Sequence, residues 1–221
     1  MKRKLNALCL LGLTGLLLAG CSIGGKSTPS RFYVLSPSEE VTPQASFEGA
    51  PPPVGVSRIM IPGYLDRPQM VTSVAPNELK YSEFNRWGEP LQQGITETMR
   101  RNLIVHLGTD KVSAFPWMQE FPRDYNIQLV FQNFEGHSYR NEVVMRAVIR
   151  IEALQDKRTT VYVDEVSHTI PVSGDDMSYD ASVEALSKCL AYLSQQIATA
   201  IEKLEAERAN QPDTVAATPE S

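Results

Sequence analysis

Few residues of this chain stand at spacings that chemistry requires. The run Gly20-Cys21-Ser22-Ile23-Gly24-Gly25-Lys26-Ser27 fits G-x-x-x-x-G-K-[ST]. That loop cradles phosphate on backbone N–H groups only when a strand precedes it and a helix follows. Here an apolar leader precedes it and Thr28-Pro29-Ser30 follows, so nucleotide binding is not expected. His106, His137 and His168 have no partner at metal-ligand spacing, and each reads as a surface residue. The carboxylate pairs Asp164-Glu165 and Asp175-Asp176 are adjacent in sequence. Neighbours on a strand point to opposite faces, so spacing makes no acid–base pair of Asp164 and Glu165. Asp175-Asp176 reads as loop. Gly20-Cys21-Ser22-Ile23-Gly24 fits G-x-S-x-G in letters alone, since the apolar leader before it gives no strand-to-helix turn, so no nucleophile elbow is expected. Cys189 lies in a helical pattern and reads as a small buried apolar residue rather than a nucleophile. The residue pattern gives no argument for an enzyme, a metal or a cofactor.

Cys21 is the exception. Lys2, Arg3 and Lys4 open an apolar stretch that ends in Leu18-Ala19-Gly20-Cys21. A basic start, an apolar middle and small residues before a cut are the parts of a secretory signal. The apolar part is about a dozen residues, short of the ~20 needed to span a bilayer. The cysteine directly after the small pair resembles a bacterial lipobox. There the thiol takes a diacylglyceryl group, the peptide is cut before the cysteine, and the new amino terminus is acylated. Two or more acyl chains, at about 0.8 kcal/mol per buried CH₂, make a durable membrane anchor. The reading is therefore a signal peptide over 1–20, a lipidated tether over 21–30, a folded domain over 31–206 and a disordered tail over 207–221. Ser22 rather than Asp after the cysteine favours the outer membrane, facing the periplasm, over inner-membrane retention. With a net charge of −5 and no basic block in the mature chain, nucleic acid is not expected as a partner.

The elements that follow must fold without a disulfide, since Cys189 is the thiol left after Cys9 and Cys21 are accounted for. Strands are expected at 31–35, 54–61 and 112–115, and a hairpin over 69–74 and 79–81 around Ala75-Pro76-Asn77-Glu78. The stretch 36–53, with Pro51-Pro52-Pro53, reads as an extended surface connection. Leu91, Ile95, Met99, Leu103 and Leu107 recur every four residues, predicting a helix from Pro90 to a stop at Gly108. Alternation at 125–131 and 145–153, then 159–166, predicts further strands. Val183, Leu186, Leu190, Leu193, Ile197, Ile201 and Leu204 predict a helix over 179–204. Together these give a single α/β domain with a mixed sheet covered by helices.

Two segments carry binding-type residues. The run 61–69 holds Tyr64, Leu65 and Arg67, and the run 81–91 holds three aromatics including Trp87. Tyr, Trp and Arg are enriched at binding hot spots. The competing reading makes Tyr64, Leu65 and Trp87 satellite core at a sheet edge.

The lipobox, Arg31-Phe32-Tyr33-Val34-Leu35, the run Ile61-Pro62-Gly63-Tyr64-Leu65-Asp66-Arg67-Pro68-Gln69, the run Arg86-Trp87-Gly88-Glu89-Pro90-Leu91 and the closing helix occur in one order. In this combination, over roughly 31–204, the chain resembles the ABC-type transport auxiliary lipoproteins, the PqiC/YmbA group. The resemblance implies a three-layer, mixed β-sheet fold flanked by two long helices, somewhat like the N-terminal domain of TolB. It also implies a non-enzymatic envelope accessory that works with an MCE-domain protein in lipid transport, and it admits a homo-oligomer around such a partner. It offers no catalytic residues, and only Cys21 maps onto it firmly. Tyr64, Leu65, Arg67 and Trp87 are the candidate contacts. The alternative is a periplasmic carrier that holds acyl chains itself, which would need an apolar cavity between sheet and helices.

Overall fold

The computed structural model describes residues 28–39, 42–117, 121–155, 159–172 and 177–210. The expected signal peptide, Cys21, Asp175-Asp176 and the chain beyond residue 210 lie outside the described residues. Among the described residues, eight strands and two helices follow in the order β1 (Arg31–Tyr33), β2 (Val54–Val56), β3 (Gln69–Ala75), β4 (Glu78–Trp87), α1 (Leu91–Leu107), β5 (Val112–Ala114), β6 (Tyr125–His137), β7 (Glu142–Ala153), β8 (Thr159–Pro171) and α2 (Tyr179–Ala209).

The long strands β6, β7 and β8 form an antiparallel meander. The other edge of β6 is divided. Its start pairs in parallel with β2, which carries β5, and its end pairs in parallel with β3. Antiparallel β4 then follows β3, and β1 pairs in parallel with β4. The sheet is thus mixed, as expected, and it forks along β6.

A bulge sets this division. Ile127, Leu129 and Phe131 alternate into the core. The register shifts between Phe131 and Asn133, so Phe134 then takes the inward place opposite Met145. An extra residue changes the phase of a strand and sharpens its twist. The sequence pattern ended β6 at 131 because its period breaks there; the strand itself continues to His137. In the same way β4, β7 and β8 run beyond their expected bounds. Strand β2 is shorter than expected, because Ser57 turns aside to donate its Oγ–H to Asn126 Oδ1 at 2.7 Å. Only Met60 rejoins the sheet, bridging to Val130.

Helix α1 ends where Gly108 adopts φ 66°, ψ 33°, the left-handed cap that glycine takes without a Cβ penalty. Helix α2 starts at Ser178, whose Oγ accepts from the Ala181 N–H at 3.2 Å. The helices pack on each other, α2 over β6–β8 and α1 over β2 and β5. Between them and the sheet lie Ile95, Met99, Leu103, Ile127, Leu129, Ile149, Ile151, Leu190 and Ile197, all fully buried.

The described parts of the connection, residues 36–39 and 42–53, form a strap across the helices. Ser36 N–H donates to Ser187 Oγ, Ser38 N–H to Asn102 Oδ1, and Ser46 N–H to Glu202 Oε1. The Gln44 and Ala45 N–H groups both reach the carbonyl of His106 at 3.0 Å. His106 is covered as a result, at 1% exposure. The expectation of three surface histidines therefore fails there, because the apolar stripe of α1 is widened by Asn102 and His106 on its flank. His168 is part-covered too, stacked on Tyr192 at 4.1 Å between ring centroids.

Candidate functional site

The β3–β4 hairpin brings the two sequence runs together. Gln69 pairs with Arg86, and the Trp87 N–H donates to the Pro68 carbonyl at 2.8 Å. Opposite Met70, β4 carries extra residues, and Ser82 Oγ accepts from the backbone and side-chain nitrogens of Asn85. That local turn swings the end of β4 toward the 62–68 loop. The loop is held by the Leu65 N–H to the Pro62 carbonyl at 2.9 Å, and by the Arg67 N–H to the Leu65 carbonyl at 2.8 Å.

Each candidate takes a distinct place. Leu65, at 3% exposure, and Trp87, at 8%, belong to the hydrophobic core. Arg67 is exposed, and its guanidinium lies 4.2 Å from the Tyr81 ring centroid, a cation–π contact. Asp66, Arg67, Pro68, Glu89 and Pro90 rim a shallow hollow of about 370 Å³ whose floor is Trp87 and Leu91. The surface that a partner can touch is therefore the charged rim, with the tryptophan beneath it.

Tyr64 is half-buried and serves as an anchor. Its OH donates to Glu135 Oε2 at 2.9 Å. Glu135 is a carboxylate at 3% exposure that also accepts from Asn133 Nδ2 at 2.9 Å and the Phe134 N–H at 2.7 Å, and lies 3.2 Å from His137 Nε2. Burial, and next the Glu135 charge, push the Tyr64 hydroxyl well above the usual phenol range, so it stays a proton donor in this pair. The bulge in β6 turns Glu135 away from the helices, and the 62–68 loop covers it. His137 is consequently mostly buried rather than a surface turn residue. Tyr64→Phe removes one donor from a buried carboxylate. It is expected to cost about 1–3 kcal/mol in urea unfolding, without changing the fold by circular dichroism.

Sequence reasoning missed Glu135, whose signal was an acidic residue inside an otherwise buried strand. It also passed over Phe115 and Trp117, which meet edge-to-face at 5.9 Å, with Arg123 3.9 Å over the tryptophan ring. A run of two aromatics around Pro116 was the available signal.

Cys189 is fully buried, and burial pushes its thiol up to about 12. A nucleophilic cysteine requires the opposite shift. Among the described residues no group of three His, Cys, Asp or Glu is placed to hold a metal ion. No helix among them is long and apolar enough to cross a membrane.

Two solved structures share the fold. A crystal structure of a protein from Xanthomonas campestris has a TM-score of 0.63 at 15% identity, covering 82% of this chain and 100% of its own. A crystal structure of an uncharacterized protein has a TM-score of 0.59 at 18% identity, covering 79% and 99%. No curated protein sequence matches. The family model for the ABC-type transport auxiliary lipoprotein component matches residues 33–198, which takes in the hairpin, the hollow, helix α1, all the long strands and α2 as far as Ala198; the chain belongs to that family.

Proposed function

We propose that this lipoprotein is a membrane-anchored, non-enzymatic accessory of an MCE/ABC-type envelope lipid-transport system. It is attached through acylated Cys21, most suitably to the outer membrane, and docks on a periplasmic MCE-domain protein to support membrane integrity. The observation that carries the docking surface is the convergence of the two family-like runs, from 61–69 and 86–91, on one hollow. There an exposed arginine and two carboxylates surround a buried tryptophan. Rigid aromatic floors with charged rims are suited to protein recognition.

A carrier that holds acyl chains would need apolar space between the helices and the sheet. That space is occupied by Ile95, Met99, Leu129, Ile149, Leu190 and Ile197, all fully buried, which favours the docking reading. In-cell crosslinking of the native lipoprotein, followed by mild detergent extraction, is expected to recover an MCE-domain protein. Recovery of stoichiometric phospholipid with no such protein would replace the adaptor by the carrier.

A further inference from the structure

We infer that the β1 corner of the domain, built around Phe32 and Val34, rests on the lipid surface to which the protein is tethered. Phe32 is 67% exposed and Val34 57%, the two most exposed large apolar residues among those described. They are not on a loose end. Arg31 and Tyr33, which alternate with them, are tied to the start of α2. Arg31 Nη2 reaches Asp180 Oδ1 at 2.9 Å, and the Tyr33 ring lies 6.4 Å from Tyr179. Strand side chains alternate in direction, so with Tyr33 and Leu35 buried Phe32 and Val34 face outward. Phe32 pairs with Arg86 on β4, Val34 lies over Gly88, and Phe84 is exposed two residues before Arg86. The result is a held apolar corner on the terminal strand of the sheet.

The tether identifies the occupant. This inference rests on acylation of Cys21. From Cys21 to Arg31 the chain reaches at most about 35 Å fully extended. In every orientation of the domain the anchor therefore keeps this corner within that distance of the bilayer. Exposed aromatic and aliphatic side chains held so near the headgroups are the apolar surface that the anchor offers to lipid. Insertion of Phe32 and Val34 would set the domain in one orientation, with the Trp87 hollow beside the membrane, just across Gly88.

The full-length lipoprotein, reconstituted in phosphatidylethanolamine–phosphatidylglycerol vesicles, supplies the test. Phe32→Cys carries an environment-sensitive fluorophore, with Val163→Cys on the exposed face of β8 as reference; Cys189 is buried and Cys21 is blocked by lipid. Shallow spin-labelled phospholipid is expected to quench the probe at position 32 at least about twofold more than the probe at 163, as for side chains set into the headgroup–acyl boundary. A probe at Phe84→Cys, with Phe32 and Val34 intact, should follow position 32. Equal quenching at 32 and 163 in protein whose mass shows acylated Cys21 overturns the inference. A blue-shifted probe at 32 that spin-labelled lipid does not quench also overturns it, in favour of a protein contact. An unacylated Cys21 in the mature mass removes the anchor itself, and the inference with it.

Discussion

Trp87→Ala is expected to lower the stability of the domain by about 3–5 kcal/mol, the usual cost of emptying a buried aromatic site. Trp87 is 8% exposed, belongs to the same core cluster as Leu65 and Leu91, and sits where β4 hands over to α1. Its backbone N–H also closes the hairpin end onto Pro68. The surrounding chain is fixed by the β1 and β3 pairings on either side, so collapse around the void is restricted. Domains are stable by only about 5–15 kcal/mol, so the variant should unfold at much lower urea and reach the envelope in reduced amount. A loss below about 1 kcal/mol would mean that Trp87 is a surface residue after all. Loss of partner capture in this variant would not by itself assign a surface, because it follows from instability.

Arg67→Glu separates surface from core. Arg67 is exposed, and its visible interaction is the Tyr81 cation–π contact, worth about 0.5–1 kcal/mol at such a site. The urea midpoint should therefore move little. Capture of the MCE-domain partner should fall at least about tenfold, because a hot-spot arginine carries about 2 kcal/mol or more of binding and the substitution reverses its sign. Asp66 and Glu89 already stand on the rim of the hollow, so the substitution would place a third carboxylate there. Unchanged capture at unchanged stability would move the docking surface elsewhere, first to the Phe115–Trp117 side.

Much of this molecule is legible in its sequence, for reasons that differ from element to element. The four-residue recurrence from Leu91 to Leu107 and the Gly108 stop leave one conformation for α1, and the structure has it. The stripe from Val183 to Leu204 does the same for α2, which continues to Ala209 with a polar last turn, through positions that composition alone assigns to a tail. Strand ends are less legible. The bulge after Phe131 inverts the alternation, so Phe134 and Gly136 look out of phase until Met145 and Val143 are placed opposite them. The strap over α1 and α2 is invisible because its polar residues read as loop, and its backbone bonds to Asn102, His106, Ser187 and Glu202 make it structure. At the hollow, residue types pointed to Tyr64, Leu65, Arg67 and Trp87 together. Which of them faces solvent depends on the hairpin, and a contact 71 positions away turns Tyr64 into an anchor for Glu135. No local pattern carries that information.

A photocrosslinking amino acid placed at position 67 in intact cells, with position 163 on β8 as reference, tests the docking surface most directly. The expected result is a covalent adduct with an MCE-domain protein from position 67 and none from 163. An adduct from 163 and none from 67, with both proteins equally acylated and folded, would contradict it.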